Sequence, residues 1–211
     1  VLLDHLQLDL FGRGPLTRLS NTDKVENDPV NNELLVSEDG VILVFDRTAN
    51  GNVAPKRMLE MDGGIDIDAV SVDYVRNVII AANPGGTKAE PWPQLLFMNR
   101  AAEGVVKPLR VVGGKKTMLT GTFGMRAYAP KGWVLVAMPG PSTSGAHDPA
   151  FVGAWSTTQD NGDVPPRWTI GGPFGELKQP RGIDFDPKGQ NVIISDKVLN
   201  AVLTYRYPEL F

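Results

Sequence analysis

The chain has no cysteine. Disulfides, thiolate catalysis, cysteine-ligated zinc and iron–sulfur clusters are thereby excluded together. Its two histidines, His5 and His147, are too few for a three-histidine metal site. No apolar run approaches the length of roughly 20 residues needed to span a bilayer as a helix. Positive charge is not in excess, since 21 Lys and Arg stand against 24 Asp and Glu for a net charge of -3. Such a surface has no electrostatic reason to seek nucleic acid. Phosphate loops and dinucleotide fingerprints are absent. The stretch Gly140-Pro141-Ser142-Thr143-Ser144-Gly145 lacks the Gly-x-Ser-x-Gly spacing of a nucleophile elbow. No segment shows a convincing amphipathic helical period.

What is present is turn chemistry and short apolar runs. The 211 residues include 23 Gly and 17 Pro, which points to many tight turns and many short strands. A phrase recurs three times: Asp46-Arg47-Thr48-Ala49-Asn50-Gly51 with Pro55, Asn99-Arg100-Ala101-Ala102-Glu103-Gly104 with Pro108, and Gln159-Asp160-Asn161-Gly162 with Pro166. The glycines suit a turn with positive φ, and each proline suits the start of a strand. Around each phrase lie four apolar segments. In the first unit they are Val25–Asp28, Leu34–Val36, Val41–Phe45 and Arg57–Leu59; in the second, Val70–Asp73, Val78–Ala81, Gln94–Met98 and Arg110–Val112. The third has Met125–Pro130, Trp133–Ala137, Phe151–Trp155 and Trp168–Ile170. A last unit has three, Arg181–Asp186, Asn191–Ser195 and Ala201–Tyr205.

Four antiparallel strands repeated at this spacing make a propeller blade. The expected fold is therefore all-β, a single β-propeller domain of about four units: 20–62, 63–119, 120–176, and 177–211 completed by 1–19. Leu6–Leu10 has the phase of a fourth strand, so it is expected to pair beside Ala201–Tyr205 and close the ring, which removes an exposed sheet edge. The alternative is an arc of a larger propeller.

The run Ile170-Gly171-Gly172-Pro173-Phe174-Gly175 through Pro180-Arg181-Gly182-Ile183-Asp184-Phe185-Asp186, continuing in Asn191-Val192-Ile193-Ile194-Ser195-Asp196, resembles an NHL-type repeat. The resemblance is fullest there and fades in the other units, most of all at Gly124-Met125-Arg126-Ala127-Tyr128. It implies a β-propeller that most often serves as an interaction platform, with lactonase-type hydrolases and amidating lyases among its relatives. The shortage of histidine argues against the lyases.

Loop alternation assigns the candidate sites. Connections between second and third strands, and between one unit and the next, emerge on one face. Two long insertions there, 83–93 and 139–149, carry Trp92, His147 and Asp148, and long loops on a rigid scaffold are the usual seat of function. Loop decoration, with Trp92 folded onto its own prolines, is the plainer reading. Asp23, Asp68, Phe123 and Arg181 precede the first strands and are expected to ring the channel mouth, with Glu38, Asn83 and Asp196 nearby. Converging carboxylates and amides can hold Ca²⁺ or another divalent cation, whereas a salt-bridge ring needs no cofactor at all. The acidic run from Asp62 to Asp68 breaks an EF-hand register at Gly64 and reads as a turn. Arg47 and Arg100 are expected to tie the third-to-fourth turns, and Trp133, Trp155 and Trp168 to pack between blades.

Three functions stay open at this level. They are a non-catalytic module binding a protein or other extended ligand through the loop-rich face, a metal-dependent lactonase-type hydrolase, and a structural subunit of a larger assembly. A first residue of Val1, a rigid repeat scaffold and the lack of cysteine lead to an expected location outside the cytoplasm, periplasmic or secreted.

Overall fold

A computed structural model describes residues 14–38, 40–120, 124–139 and 150–211. Every strand expected within residues 20–211 is present, in four sheets arranged as a four-bladed β-propeller. Blade 1 contains β1 (Thr22–Asp28), β2 (Glu33–Glu38), β3 (Val41–Asp46) and β4 (Arg57–Met61). Blade 2 contains β5 (Ala69–Asp73), β6 (Val78–Asn83) and β7 (Gln94–Asn99), then β8 (Gly104–Val106) and β9 (Arg110–Gly113). Blade 3 contains β10 (Gly124–Tyr128), β11 (Trp133–Met138), β12 (Phe151–Ser156) and β13 (Trp168–Gly171). Blade 4 contains β14 (Pro180–Asp186), β15 (Asn191–Asp196) and β16 (Ala201–Arg206), with no fourth strand among the described residues. Residues 6–10, expected to supply it, lie outside the described residues.

One turn repeats in all four blades. Asn32, Asn77, Gly132 and Gln190 each take a left-handed conformation, with φ from 54° to 72°. Their carbonyls accept from the backbone N–H of Arg47, Arg100, Thr157 and Tyr207 in turn. Asparagine and glycine tolerate this region, so local chemistry sets the phase of each unit. Arg47 and Arg100 also donate through Nε to Asn32 and Asn77, tying the turns as expected.

The core lies in the seams between blades. Leu35, Ile42, Val44 and Leu59 of blade 1 meet Val70, Val72, Ile79 and Leu96 of blade 2. Ile80, Leu95 and Phe97 of blade 2 meet Val134, Val136 and Trp155 of blade 3. Leu135, Val152 and Ile170 of blade 3 meet Val192 and Ile194 of blade 4. Middle strands such as β6 are thus buried on both faces, which is why they read as unbroken apolar runs rather than alternations.

The phrase glycines do take positive φ, at 77°, 72° and 75° for Gly51, Gly104 and Gly162. They do more than turn the chain. β8 crosses from blade 2 and pairs parallel with β4, with Leu59 opposite Gly104 and Met61 opposite Val106. Gly162 of blade 3 bridges in parallel to Val112 of blade 2. Each of these phrases covers the outer edge of the preceding blade, which protects an otherwise open strand. Periodicity alone does not show this cross-blade pairing. No helix among the described residues is long and apolar enough to cross a membrane.

Candidate binding site

A cavity of about 590 Å³ opens on the loop-rich face at the seam of blades 2 and 3. Its lining draws on four connections. Trp92 comes from the insertion of blade 2, and Lys115, Met118 and Leu119 come from the link between blades 2 and 3. Met138 and Phe151, cross-strand partners at the ends of β11 and β12, lie at the base of the blade 3 insertion. Gly172 and Pro173 close the side toward blade 4. A largely apolar lining with few polar groups is the usual character of a binding cleft.

Trp92 is held in place by an ordered loop. The buried Asn83 side chain donates from Nδ2 to the Gly86 carbonyl and to Gln94 Oε1, and its Oδ1 accepts from the Gly85 N–H. Thr87 N–H donates to the Glu90 carbonyl, and Glu90 N–H donates back to Thr87 Oγ1. Gly86 has φ of +66°, and a Cβ there would stand 2.4 Å from the Glu90 and Trp92 carbonyl oxygens. Only glycine fits that turn. The indole ring remains 38% exposed, and its face lies 5.3 Å from the Lys115 ammonium, within cation–π range. Trp92 therefore faces the next connection of the blade. Met118, which also lines the cavity, is 47% exposed. His147 and Asp148 lie outside the described residues, as does Phe123.

The channel residues have other partners. Glu38 accepts from Ser20 N–H and Oγ, from Asn21 N–H and from Thr22 Oγ1. Burial raises its pKa, but these donors outweigh burial and hold the carboxylate below its ordinary value. Asp196 plays the same part in blade 4. It accepts from the N–H groups of Lys178, Gln179, Val198 and Leu199. Burial is again opposed by these N–H groups, and the net pKa is lowered. Both carboxylates anchor the link into their blade, so their oxygens are already occupied. Asp68 spends its backbone N–H on Ala82.

Asp23 and Arg181 sit where the pairing register of β1 and β14 shifts. Lys24 and Gly182 N–H groups donate to Ser37 and Ser195 Oγ there. Such a bulge adds one residue and re-aims the side chains beside it. Asp23 is exposed, while Lys24 and Arg181 line the channel. Lys24 escaped the sequence reading because strict alternation does not register a bulge.

Deeper in, all four inner strands contribute to one polar network. Arg126 of β10 donates from Nη1 to Glu26 Oε1 of β1 at 2.7 Å and lies 3.4 Å from Asp184 Oδ1 of β14. Ser71 of β5 donates to Glu26 Oε2 and accepts from Ala127 N–H. Burial raises the Glu26 pKa, with Arg126 opposing. A hard cation needs converging oxygens, whereas Lys24, Arg126 and Arg181 bring positive charge to these walls. Among the described residues no group of three or more His, Asp or Glu could hold a metal ion.

No family model matches the chain, and no curated protein matches it in sequence. Solved structures do. Kuenenia stuttgartiensis hydrazine synthase matches with a TM-score of 0.55 and 11% identity over 82% of this chain and 43% of the other. Chaetomium thermophilum Raptor matches at 0.56 and 14% over 88% of this chain and 15% of its own. A chain of a nidogen/laminin complex matches at 0.52 and 14%, covering 92% of this chain and 66% of that one. The likeness shows the fold alone. All three chains are longer than the propeller they share with this one.

Proposed function

We propose that this propeller is a non-catalytic, NHL-like binding module that takes a protein or another extended ligand through its loop-rich face. The observation that supports this reading is the cavity at the seam of blades 2 and 3. It sits where two long insertions emerge, its lining is mainly apolar, and the indole of Trp92 is braced at its rim by Asn83 and Gly86. Partly exposed aromatic side chains held rigid on a scaffold are typical anchors of protein recognition. One structural neighbour, from a nidogen/laminin complex, carries a propeller of this fold in an assembly of two proteins, which is in keeping with this reading.

The test is selection of peptides from a random displayed library on the immobilised chain. Enriched peptides are expected to bind Trp92→Ala about 10-fold more weakly. Binding to Lys188→Ala, altered in the exposed turn between β14 and β15 on the opposite face, is expected to stay unchanged. The absence of any enriched peptide, or enrichment indifferent to Trp92, would overturn the reading. So would Ca²⁺ or Mn²⁺ both raising the Tm and switching on lactone hydrolysis.

A further inference from the structure

The registers of the four inner strands stack their residues in layers around the axis. β1, β5, β10 and β14 end at Asp28, Asp73, Tyr128 and Asp186, each opposite the first residue of the second strand of its blade. Two residues back on each strand stand Glu26, Ser71, Arg126 and Asp184, the polar network that crosses the channel. Alternation puts the residues two further back on the same face. These are Lys24, Ala69, Gly124 and Gly182. Three blades thus bring only a methyl group or a hydrogen to the axis, and the fourth brings a lysine. A Cβ on Gly124 would collide with the Arg181 carbonyl oxygen, and one on Gly182 would stand 2.8 Å from Ser195 Oγ. Packing therefore holds both positions to glycine. The room left over is a cavity of about 220 Å³ against the network.

The charge of its lining is one-sided. Among the described residues that line it, Lys24, Arg126 and Arg181 stand against the single carboxylate of Glu26. Both oxygens of that carboxylate are engaged, Oε1 by Arg126 and the Asn27 N–H and Oε2 by Ser71. Asp23 and Asp68 precede Lys24 and Ala69 but are not among the lining residues. Arg126 meets Glu26 through Nη1 and Asp184 through Nε, and its guanidinium fork carries N–H donors beyond these two. Register shifts at the starts of β1 and β14 bring Lys24 and Arg181 to the same opening, so two blades use a bulge to aim positive charge at one cavity. Lysine and arginine converging in a partly enclosed space favour an oxyanion, with arginine supplying paired donors. At roughly 30 Å³ for each water in the liquid, a cavity of about 220 Å³ has room for about seven waters. That is the scale of a small anion and well short of a nucleotide.

We propose that the channel mouth binds a small multivalent oxyanion, of the pyrophosphate or tricarboxylate kind, between Lys24 of blade 1, Arg126 of blade 3 and Arg181 of blade 4. Bound there, the anion ties blade 4 to blades 1 and 3 across the axis. No described residue of blade 4 joins the apolar cluster of blade 1, so a charged tie acts where apolar cohesion is least. The inference rests on the channel lining and not on the cleft beside Trp92.

Titration calorimetry of the whole chain with pyrophosphate and, separately, with citrate at fixed ionic strength reads the site. At least one of the two is expected to saturate and to raise the Tm with occupancy, and the tighter of them names the chemistry of the ligand. Lys24→Ala, at an exposed position on β1, is expected to weaken that binding about 10-fold through loss of one charge-assisted contact. Trp92→Ala should leave it unchanged, which keeps this site distinct from the cleft. Multivalent anions also stabilise proteins by exclusion from the surface, so stabilisation that persists in full in Lys24→Ala would overturn the proposal. The absence of saturable binding by either anion up to about 10 mM would overturn it as well. On the unsubstituted chain, the bound anion should slow amide exchange in β1 and β14, and slowing that bypasses both strands would count against the site.

Discussion

The seam between blades 2 and 3 and the seam between blades 4 and 1 are built from the same repeat but differ in their walls. At the first, Leu95 and Phe97 on one side and Val134, Val136 and Trp155 on the other are all fully buried. At the second, blade 1 offers Val36, Leu43 and Phe45, covered by Leu19, Leu34, Ala49, Val53 and Met58 from its own unit and its approach. No described residue of blade 4 joins that cluster. The wall of blade 4 carries Gly182, Asp184, Ser195 and Thr204 among Ile193 and Val202, as the pairing of Ile193 with Thr204 and of Ser195 with Val202 shows. Burial follows: every residue of β6 is buried, while β16 alternates half-buried and exposed. Apolar surface on both walls makes a seam cohesive, since the driving force grows with the area both sides remove from water. The sealed seam can therefore hold a rigid cleft at its rim, whereas the described wall of blade 4 offers blade 1 little apolar surface.

The largest effect expected from this contrast is on stability. Phe97→Ala should cost about 3–5 kcal/mol, the range for removing a buried aromatic side chain. Val202→Ala, on a residue 67% exposed, should fall within about 0.5 kcal/mol. Urea unfolding of the two variants measures both, and equal costs would break the comparison.

A middle-sized effect is expected at Asp196. Replacing it by alanine strips four backbone N–H groups of their acceptor and should cost about 2–3 kcal/mol. Hydrogen exchange should show the loss concentrated in blade 4, where Asp196 holds the incoming link and the β15–β16 turn. Uniform loss across all four blades would mean that the last blade is no weaker than the rest.

The smallest effect is a pH dependence of opposite sign at two buried glutamates. Glu33 binds Arg57 and Arg100 at the seam of blades 1 and 2. Burial works against its charge, but the Arg57 hydrogen bonds and the charges of Arg57, Arg100 and Lys56 hold its pKa below the ordinary 4.5. Its contribution is complete above 4.5 and is lost as pH falls through the lowered folded value. Glu26 has a pKa raised above 4.5 by burial, so its cost appears as pH rises through that raised value and is relieved at lower pH. Glu33→Gln should flatten the acid limb of unfolding free energy against pH below 4.5, and Glu26→Gln should leave that limb in place. A flattened limb in both variants would show the two sites to be alike.

Strand identities and blade phase were legible because they are local. A positive-φ turn at Gly51 or Gly104 and a run such as Val78–Ala81 carry their signal within a few residues. Trp92 was also visible, as an aromatic residue in a long insertion. Lys115, Met118, Met138 and Phe151 were not, because each reads as a turn or strand-end residue until four connections converge. The bulge at Lys24 and the engagement of Glu38, Asn83 and Asp196 with backbone groups were hidden for the same reason. A carboxylate at a strand end looks equally ready for a metal ion or a loop, and only the placement of the loop's N–H groups decides.

The sequence by itself determined an all-β chain of four repeating units, because side-chain periodicity and turn residues act over the span of a single strand or hairpin. Tertiary structure alone decided that β8 crosses to the preceding blade, that Gly162 bridges to Val112, and that an apolar cleft forms beside Trp92. Each joins residues from different blades, and such contacts depend on how the sheets pack around the ring, which no local pattern encodes.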